Sequence, residues 1–371
     1  MIRELMMRHR YLFASFAAFF AVFGLFGLCP MGLRAFCENG PTTPYYYMAG
    51  TAPEKDKVPE SITFLQWNIC FLPYDLATQY GGVEPAKKRV GNVAQFIIDA
   101  DADIVALQEA HDLEAIEALA QSLQNHYAHI YYNIGHVDFS ISETIDEESP
   151  FLNSGLMVLS KYPLADVHFK AFTYPGMQWQ INKGYFDFYV RLQERDLIYA
   201  VVTHLQPYDQ TKDEVIREKE LMEIVDRIEN NFVHAADSIP YVVMGDINIP
   251  WGTSEYHASA IRKYFRDDYA KDIDFVTINN RTATDFFTDF RNADVNEALQ
   301  HGAEIGDELT RSGKNPYAII LDYFLLYKDT NRHLVTTQLW EAFVTAPGAS
   351  EEEILNSLSD HHALKSSVTL D

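Results

Sequence analysis

Short runs of Val, Ile, Leu and aromatic residues recur along this chain, each ending on or beside a carboxylate, an amide or an imidazole. Six stand in series: FLQWN ending at Asn68, DIVALQE ending at Glu109, VVTHLQPYD with His204, YVVMGDIN with Asp246 and Asn248, IILDYFLL with Asp322, and SDHH with Asp360 and His361. Apolar runs bounded by polar residues predict buried strands. Between them the apolar spacing becomes helical. This holds at 85–99 (Val90, Val93, Ala94, Ile97), which leads into a strand at 103–107, and again at 113–123. A third helix is predicted at 213–230, with Val215, Leu221, Ile224, Val225 and Ile228 on one side and charges on the other. NSGLMVLSKYPL predicts a strand and then a turn, stopped at Pro163. Runs 188–192 and 197–203 flank the charged QERD, a hairpin pattern. Segments 143–150 and 282–315 predict loops. Hairpins mixed with helices predict an α+β fold, a four-layer α/β/β/α sandwich with two packed, mainly antiparallel sheets.

A polar residue at a strand exit sits at the sheet rim, where separate loops converge on one pocket. Acids, amides and imidazoles gathered there suit a hard divalent cation and a phosphate ester. Glu109 is the leading metal-ligand candidate, with Asn68 as an oxygen ligand or phosphate donor; the alternative for Glu109 is a helix N-cap. In GDIN, Gly245 allows a sharp turn and Asp246 and Asn248 alternate onto one face of extended chain. Asp246 can then take a proton from water while Asn248 holds the phosphate or the nucleophile; an Asx turn is the structural alternative. His204 ends an apolar run, where a neutral, hydrogen-bonded His is the usual structural reading. Asp322 and His361 fit as a pair in which the carboxylate fixes the imidazole tautomer. Asp360 can join the metal shell, and His362 is read as structural. A carboxylate-amide site without thiols implies Mg²⁺, with Mn²⁺ as the alternative.

These motifs, in this order, resemble the endonuclease/exonuclease/phosphatase superfamily of metal-dependent phosphodiesterases, over about residues 61–371. Within it, THLQPYD is similar to the bacterial and neutral sphingomyelinases, where a Thr-His-Leu-Gln stretch carries an Asp five residues after the His, here Asp209. NKGYF resembles the Lys-Gly strand start of that branch, at Lys183 and Gly184. LDYFLL followed by SDH also resembles the exonuclease III and apurinic endonuclease branch. The resemblance implies that His204 faces the scissile phosphate as a donor or general acid. It also implies a mid-chain active-site Asn, for which Asn153 is the candidate, and substrate contacts from Lys183 and Asp209.

Charge shifts the substrate class. The chain has 371 residues and a net charge of −24; residues 1–60 hold six basic and five acidic residues, leaving 23 against 48 in the remainder. Nucleic-acid binders lean basic because neutralising phosphates supplies much of their affinity. This acidic body favours a small or lipid phosphodiester. Hydrolysis of a phospholipid head group is therefore the leading expectation, an exported nuclease the second, and a catalytically idle surface or effector protein a third of another class. The aromatic segment FTYPGMQWQ (172–180) suits either a lipid interface or packing between sheets.

Arg3, Arg8 and Arg10 precede an uncharged run at 11–33, the form of an export signal that is also long enough to span a bilayer. Residues 1–36 are expected to be a signal peptide or membrane anchor that carries the catalytic domain, 61–371, outside the cytoplasm. Residues 37–60, rich in Pro, Gly and Thr, are expected to be a linker. Cys70 is the lone cysteine after residue 37, which excludes an internal disulfide or a zinc cluster in the body.

Overall fold

The structure is a computed structural model, and it describes residues 44–74, 76–78, 83–136, 150, 152–174, 176–178, 180–208, 210–232, 239–250, 254–266, 321–327, 335–340, 358–359, 361 and 363–370. In chain order these form β1 (Tyr46–Ala49), β2 (Ser61–Phe71), α1 (Ala86–Ala100), β3 (Ile104–Ala110), α2 (Leu113–Leu123), β4 (His129–Tyr132), β5 (Met157–Ser160), β6 (Leu164–Ala171) and β7 (Gly184–Leu192). There follow β8 (Arg195–His204), α3 (Thr211–Phe232), β9 (Tyr241–Asp246), α4 (Ser254–Ala258), α5 (Ala260–Tyr264), β10 (Phe265–Arg266), β11 (Asp322–Tyr327), β12 (Val335–Trp340) and β13 (Ala363–Thr369). One sheet has the order β1-β4-β5-β3-β2-β13-β12 and the other β10-β11-β9-β8-β7-β6. Each contains one parallel pair, β2 with β3 and β8 with β9, among antiparallel neighbours. The predicted sandwich of two mainly antiparallel sheets flanked by helices is the fold observed.

Strand alternation divides the core into three apolar layers. Ile62 and Phe64 of β2, Ile104 and Ala106 of β3, Phe186 and Phe188 of β7, Val202 of β8, Met244 of β9 and Phe324 of β11 pack between the sheets. The opposite faces carry Leu65, Trp67 and Leu107 against Val93, Ile97 and Ile116 of α1 and α2. On the far side Tyr199, Val201 and Val243 meet Leu221, Ile224 and Ile228 of α3. Asp112 caps α2, its side chain accepting the Ala115 N–H at 3.1 Å. The cap is therefore not Glu109. The QERD hairpin turns through Gln193 and Glu194, both at positive φ, a two-residue connection matched to the right-handed twist of its strands.

One expectation needs correction. Residues 44–60 are not a free linker: Tyr46 to Ala49 pair with Tyr132 to His129, the Thr51 N–H donates to Gln124 O at 2.7 Å, and Lys55 bonds Asp103. Backbone pairing and a buried acid tie the segment to the first sheet. The charged side of α3 is partly taken into the fold. Asp213, Arg217 and Glu220 are buried because they satisfy the chain leaving β8. Arg217 grips Glu255 through two bonds of 2.7 and 2.8 Å and donates to Gln206 O and Tyr208 O; Glu220 accepts the Gln206 N–H at 2.8 Å. The expected signal or anchor at 1–36 lies outside the described residues, as do the loop at 282–315 and, apart from Pro150, that at 143–150. No helix among the described residues is long and apolar enough to cross a membrane.

Candidate active site

The layer between the sheets turns polar at one end. Alternation carries the inter-sheet face of β2 from Phe64 to Gln66 and Asn68, of β3 from Ala106 to Gln108, of β8 from Val202 to His204, and of β9 from Met244 to Asp246. In β11 the same face begins at Asp322, opposite Asp246, and His204 lies beside Asp246 on the parallel neighbour. The C-terminal ends of both parallel pairs and the starts of their antiparallel partners thus share one rim. Gly245 makes this possible: at φ +151 its missing Cβ would sit 1.9 Å from the Thr203 carbonyl oxygen.

Asp246 Oδ2 is the focus. Asn68 Nδ2 donates to it at 3.1 Å, His204 Nε2 lies 3.6 Å away and His361 Nε2 3.9 Å. The other oxygen accepts the Asn248 N–H at 3.1 Å; Asn248, at φ +56, gives its side-chain amide to Leu205 O. His361 Nδ1 is 2.7 Å from Asp322 Oδ2, and Gln66 Nε2 donates to Asp322 Oδ1 at 2.8 Å. Two bonds seat the His361 loop on β2, Trp67 Nε1 to His361 O and Ser359 Oγ to Asn68 O, and within the loop His361 N donates to Ser359 Oγ.

Burial dominates the electrostatics. It pushes the Asp246 carboxyl up to about 6, reinforced by Asp322 and opposed by His361, Asn68 and Lys183. It drives His204 well below the ordinary imidazole value, aided by the positive charge of Lys183, so this ring is neutral. Lys183 comes down to about 8, again through burial, while Glu220, Asp246 and Glu109 pull the other way. Glu220 rises to about 7 for the same reason.

Each expected residue has a definite place. Asn68, His204, Asp246, Asn248, Asp322 and His361 come together. Asn68 Oδ1 accepts the Cys70 N–H at 3.1 Å, while its amide nitrogen faces Asp246. Glu109 is half-buried at φ +56 on β3, opposite the bulge of β2 between Asn68 and Phe71, and its charge is felt at Lys183. Lys183 is buried, its ammonium donating to the carbonyls of Leu205 at 2.9 Å and His204 at 3.3 Å. Asn153 bonds His111 and Asn133. Asp209, Asp360, His362 and Trp179 lie outside the described residues; of the aromatic segment, Phe172 is buried and Tyr174 exposed. Gln66 and His111 were missed. Gln66 was legible, because it precedes Asn68 by two and so shares its face.

The donor set fits a divalent metal. Among the described residues, one ligand atom each from Asp246, Asp322 and His361 lie within 4.8 Å of one another. Two carboxylates and an imidazole suit a hard or borderline divalent ion.

Comparison with known proteins fixes the class. The model of the Endonuclease/Exonuclease/phosphatase family matches residues 65–361, and the chain belongs to that family, which makes it by class a metal-dependent phosphodiesterase. Among its relatives is sphingomyelinase C of Listeria ivanovii, 25% identical over 210 residues, a match spanning 54% of this chain and 60% of that protein. The fold is shared with SmcL, 19% identical with a TM-score of 0.57, over 84% of this chain and 100% of that one. It is shared too with beta toxin from Staphylococcus aureus, determined with bound magnesium ions, 18% identical with a TM-score of 0.56, over 82% of this chain and 99% of that one.

Proposed function

We propose that this chain hydrolyses the phosphodiester of a phospholipid head group, as a sphingomyelinase-like enzyme using Mg²⁺. The observation that carries the chemistry is the convergence of Asn68, His204 and His361 on one oxygen of Asp246. The relative's name and the acidic body support the lipid substrate over nucleic acid.

Above about pH 6 Asp246 is a carboxylate able to take a proton from an attacking water. The Asn248 N–H holds one of its oxygens, so the other stays aimed at the cluster. Asp322 accepts the Nδ1–H of His361 and leaves the unprotonated Nε2 facing Asp246, able to serve as a ligand atom. His204, neutral, offers Nε2 from the other sheet, and the Asn68 amide donates beside it. Asp246, Asp322 and His361 would hold the metal, with Glu109 and Asp360 joining as the family resemblance implies. Mg²⁺ supplies neutralisation of the phosphate's charge and Lewis acidity. Export, with the catalytic body outside the cytoplasm, rests on residues 1–36.

The test is Mg²⁺-dependent turnover by the full chain, on sphingomyelin vesicles and on plasmid DNA in parallel, with His361→Ala as control. Phosphocholine release lost in the control is the expected result. DNA nicking without lipid turnover would make the chain an exported nuclease, and inactivity on both would leave a binding protein.

A further inference from the structure

One imidazole outside the motifs is close enough to the site for its charge to act on His204 and that of Lys183 to act on it. His111 follows Glu109 by two residues at the exit of β3, and its ring is buried. Its backbone N–H donates to Phe71 O at 3.1 Å, tying it to the end of β2. The ring fills the space beside Gly155, where a Cβ would lie 2.6 Å from His111 Cε1 and 2.7 Å from Nε2. On its other side, Nδ1 is 3.0 Å from Asn153 Oδ1.

A backbone donor fixes the orientation of the Asn153 amide. The Gly155 N–H can only donate, and it points at Asn153 Oδ1 at 2.9 Å, so the atom there is the oxygen. His111 Nδ1 must therefore carry the proton it shares with that oxygen. The amide nitrogen gives one N–H to Asn133 Oδ1 at 2.8 Å. An amide nitrogen has two, and the second is not used by these neighbours.

We propose that His111 is a positioning residue: its Nδ1–H locks Asn153 in the amide orientation that offers an N–H to the substrate phosphate. The claim rests on the phosphodiesterase reading of the site. Removing His111 Nδ1–H takes away one of the two donors holding the Asn153 oxygen, and the amide then samples orientations that present its oxygen to an anion.

The experiment compares His111→Phe, His111→Asn and Asn153→Ala in the full chain, with bis(p-nitrophenyl) phosphate and Mg²⁺ as the probe. Asn places a side-chain N–H near the position of imidazole Nδ1, whereas Phe keeps only the bulk. We expect His111→Phe to lower kcat/KM about tenfold, the size of one hydrogen bond, and His111→Asn to restore it to within about threefold. Adding His111→Phe to Asn153→Ala should cost nothing further, because both remove one interaction. An equal loss in His111→Asn, or losses that multiply in the double variant, would overturn the proposal. A second readout is independent of turnover: the side-chain amide signals of Asn153 in ¹⁵N-asparagine-labelled protein, assigned by their loss in Asn153→Ala. They should shift in His111→Phe and return in His111→Asn; unchanged signals in His111→Phe refute the lock. Should the wild type fail to turn over the diester while the signals behave as expected, the phosphodiesterase reading falls and the His111–Asn153 lock stands.

Discussion

His361 and Asp322, 39 positions apart in the chain, are joined at 2.7 Å, and the second oxygen of Asp322 is held by Gln66 at 2.8 Å. The carboxylate therefore cannot rotate without breaking the hydrogen bond donated by the Gln66 amide. One consequence is a fixed tautomer for His361, with Nδ1 protonated and Nε2 turned toward Asp246.

Asp322→Asn should keep the fold and lose this tautomer. Turnover is expected to fall about 100-fold to 10,000-fold, the range of general acid–base contributions. Gln66→Leu should show a smaller loss in kcat with KM little changed. Steady-state kinetics on one diester checks both, and wild-type kcat in Gln66→Leu would remove Gln66 from the account.

Asp246 makes stability depend on pH in a defined direction. Its folded pKa, about 6, lies above the ordinary carboxylate value of 3.8, so between these the folded chain holds the proton the unfolded chain has lost. Stability therefore falls as pH rises through that window, and the penalty is fully present above pH 6. In chelator, Asp246→Asn is expected to raise Tm at pH 7.5 and to leave it nearly unchanged at pH 4. Equal shifts at both pH values would rule this out.

Lys183 lowers the Asp246 pKa through its charge. Lys183→Met should accordingly move the acid limb of the kcat/KM profile to higher pH. An unmoved limb would mean that Lys183 serves the carbonyls of His204 and Leu205 and nothing more.

Two glycines predict opposite outcomes. Gly245→Ala puts a methyl into the Thr203 carbonyl and should destabilise by at least about 3 kcal/mol. Gly91, exposed within α1, has nothing within 4 Å of a Cβ, and Gly91→Ala should stabilise by about 0.5–1 kcal/mol. Urea unfolding of both variants measures the contrast.

The strands and their polar exits were legible because buried strands are apolar until the rim, and Asn68, Asp246 and Asp322 interrupt that pattern. Helix α2 was legible to the residue, and α1 and α3 within two. The burial of Asp213, Arg217 and Glu220 was not, since the partners that take them in are backbone groups and an amide of the loop leaving β8, together with the carboxylate of Glu255. Residues 46–49 escaped for a related reason: an edge strand with one neighbour buries little, so its apolar alternation is faint. His111 was hidden by position, because nothing local distinguishes it from a loop polar residue until Gly155 and Asn153 arrive beside it.

Asn68 and His361 come from one sheet, His204, Asp246 and Asp322 from the other, and the apolar layer behind them is what keeps the halves in register. Neither half is a machine without its mate. Turnover is then a gauge of how well the two sheets are seated: an overpacking change such as Ala106→Leu, deep in that layer, would silence the chemistry by prising the rim apart while circular dichroism still reports a folded chain.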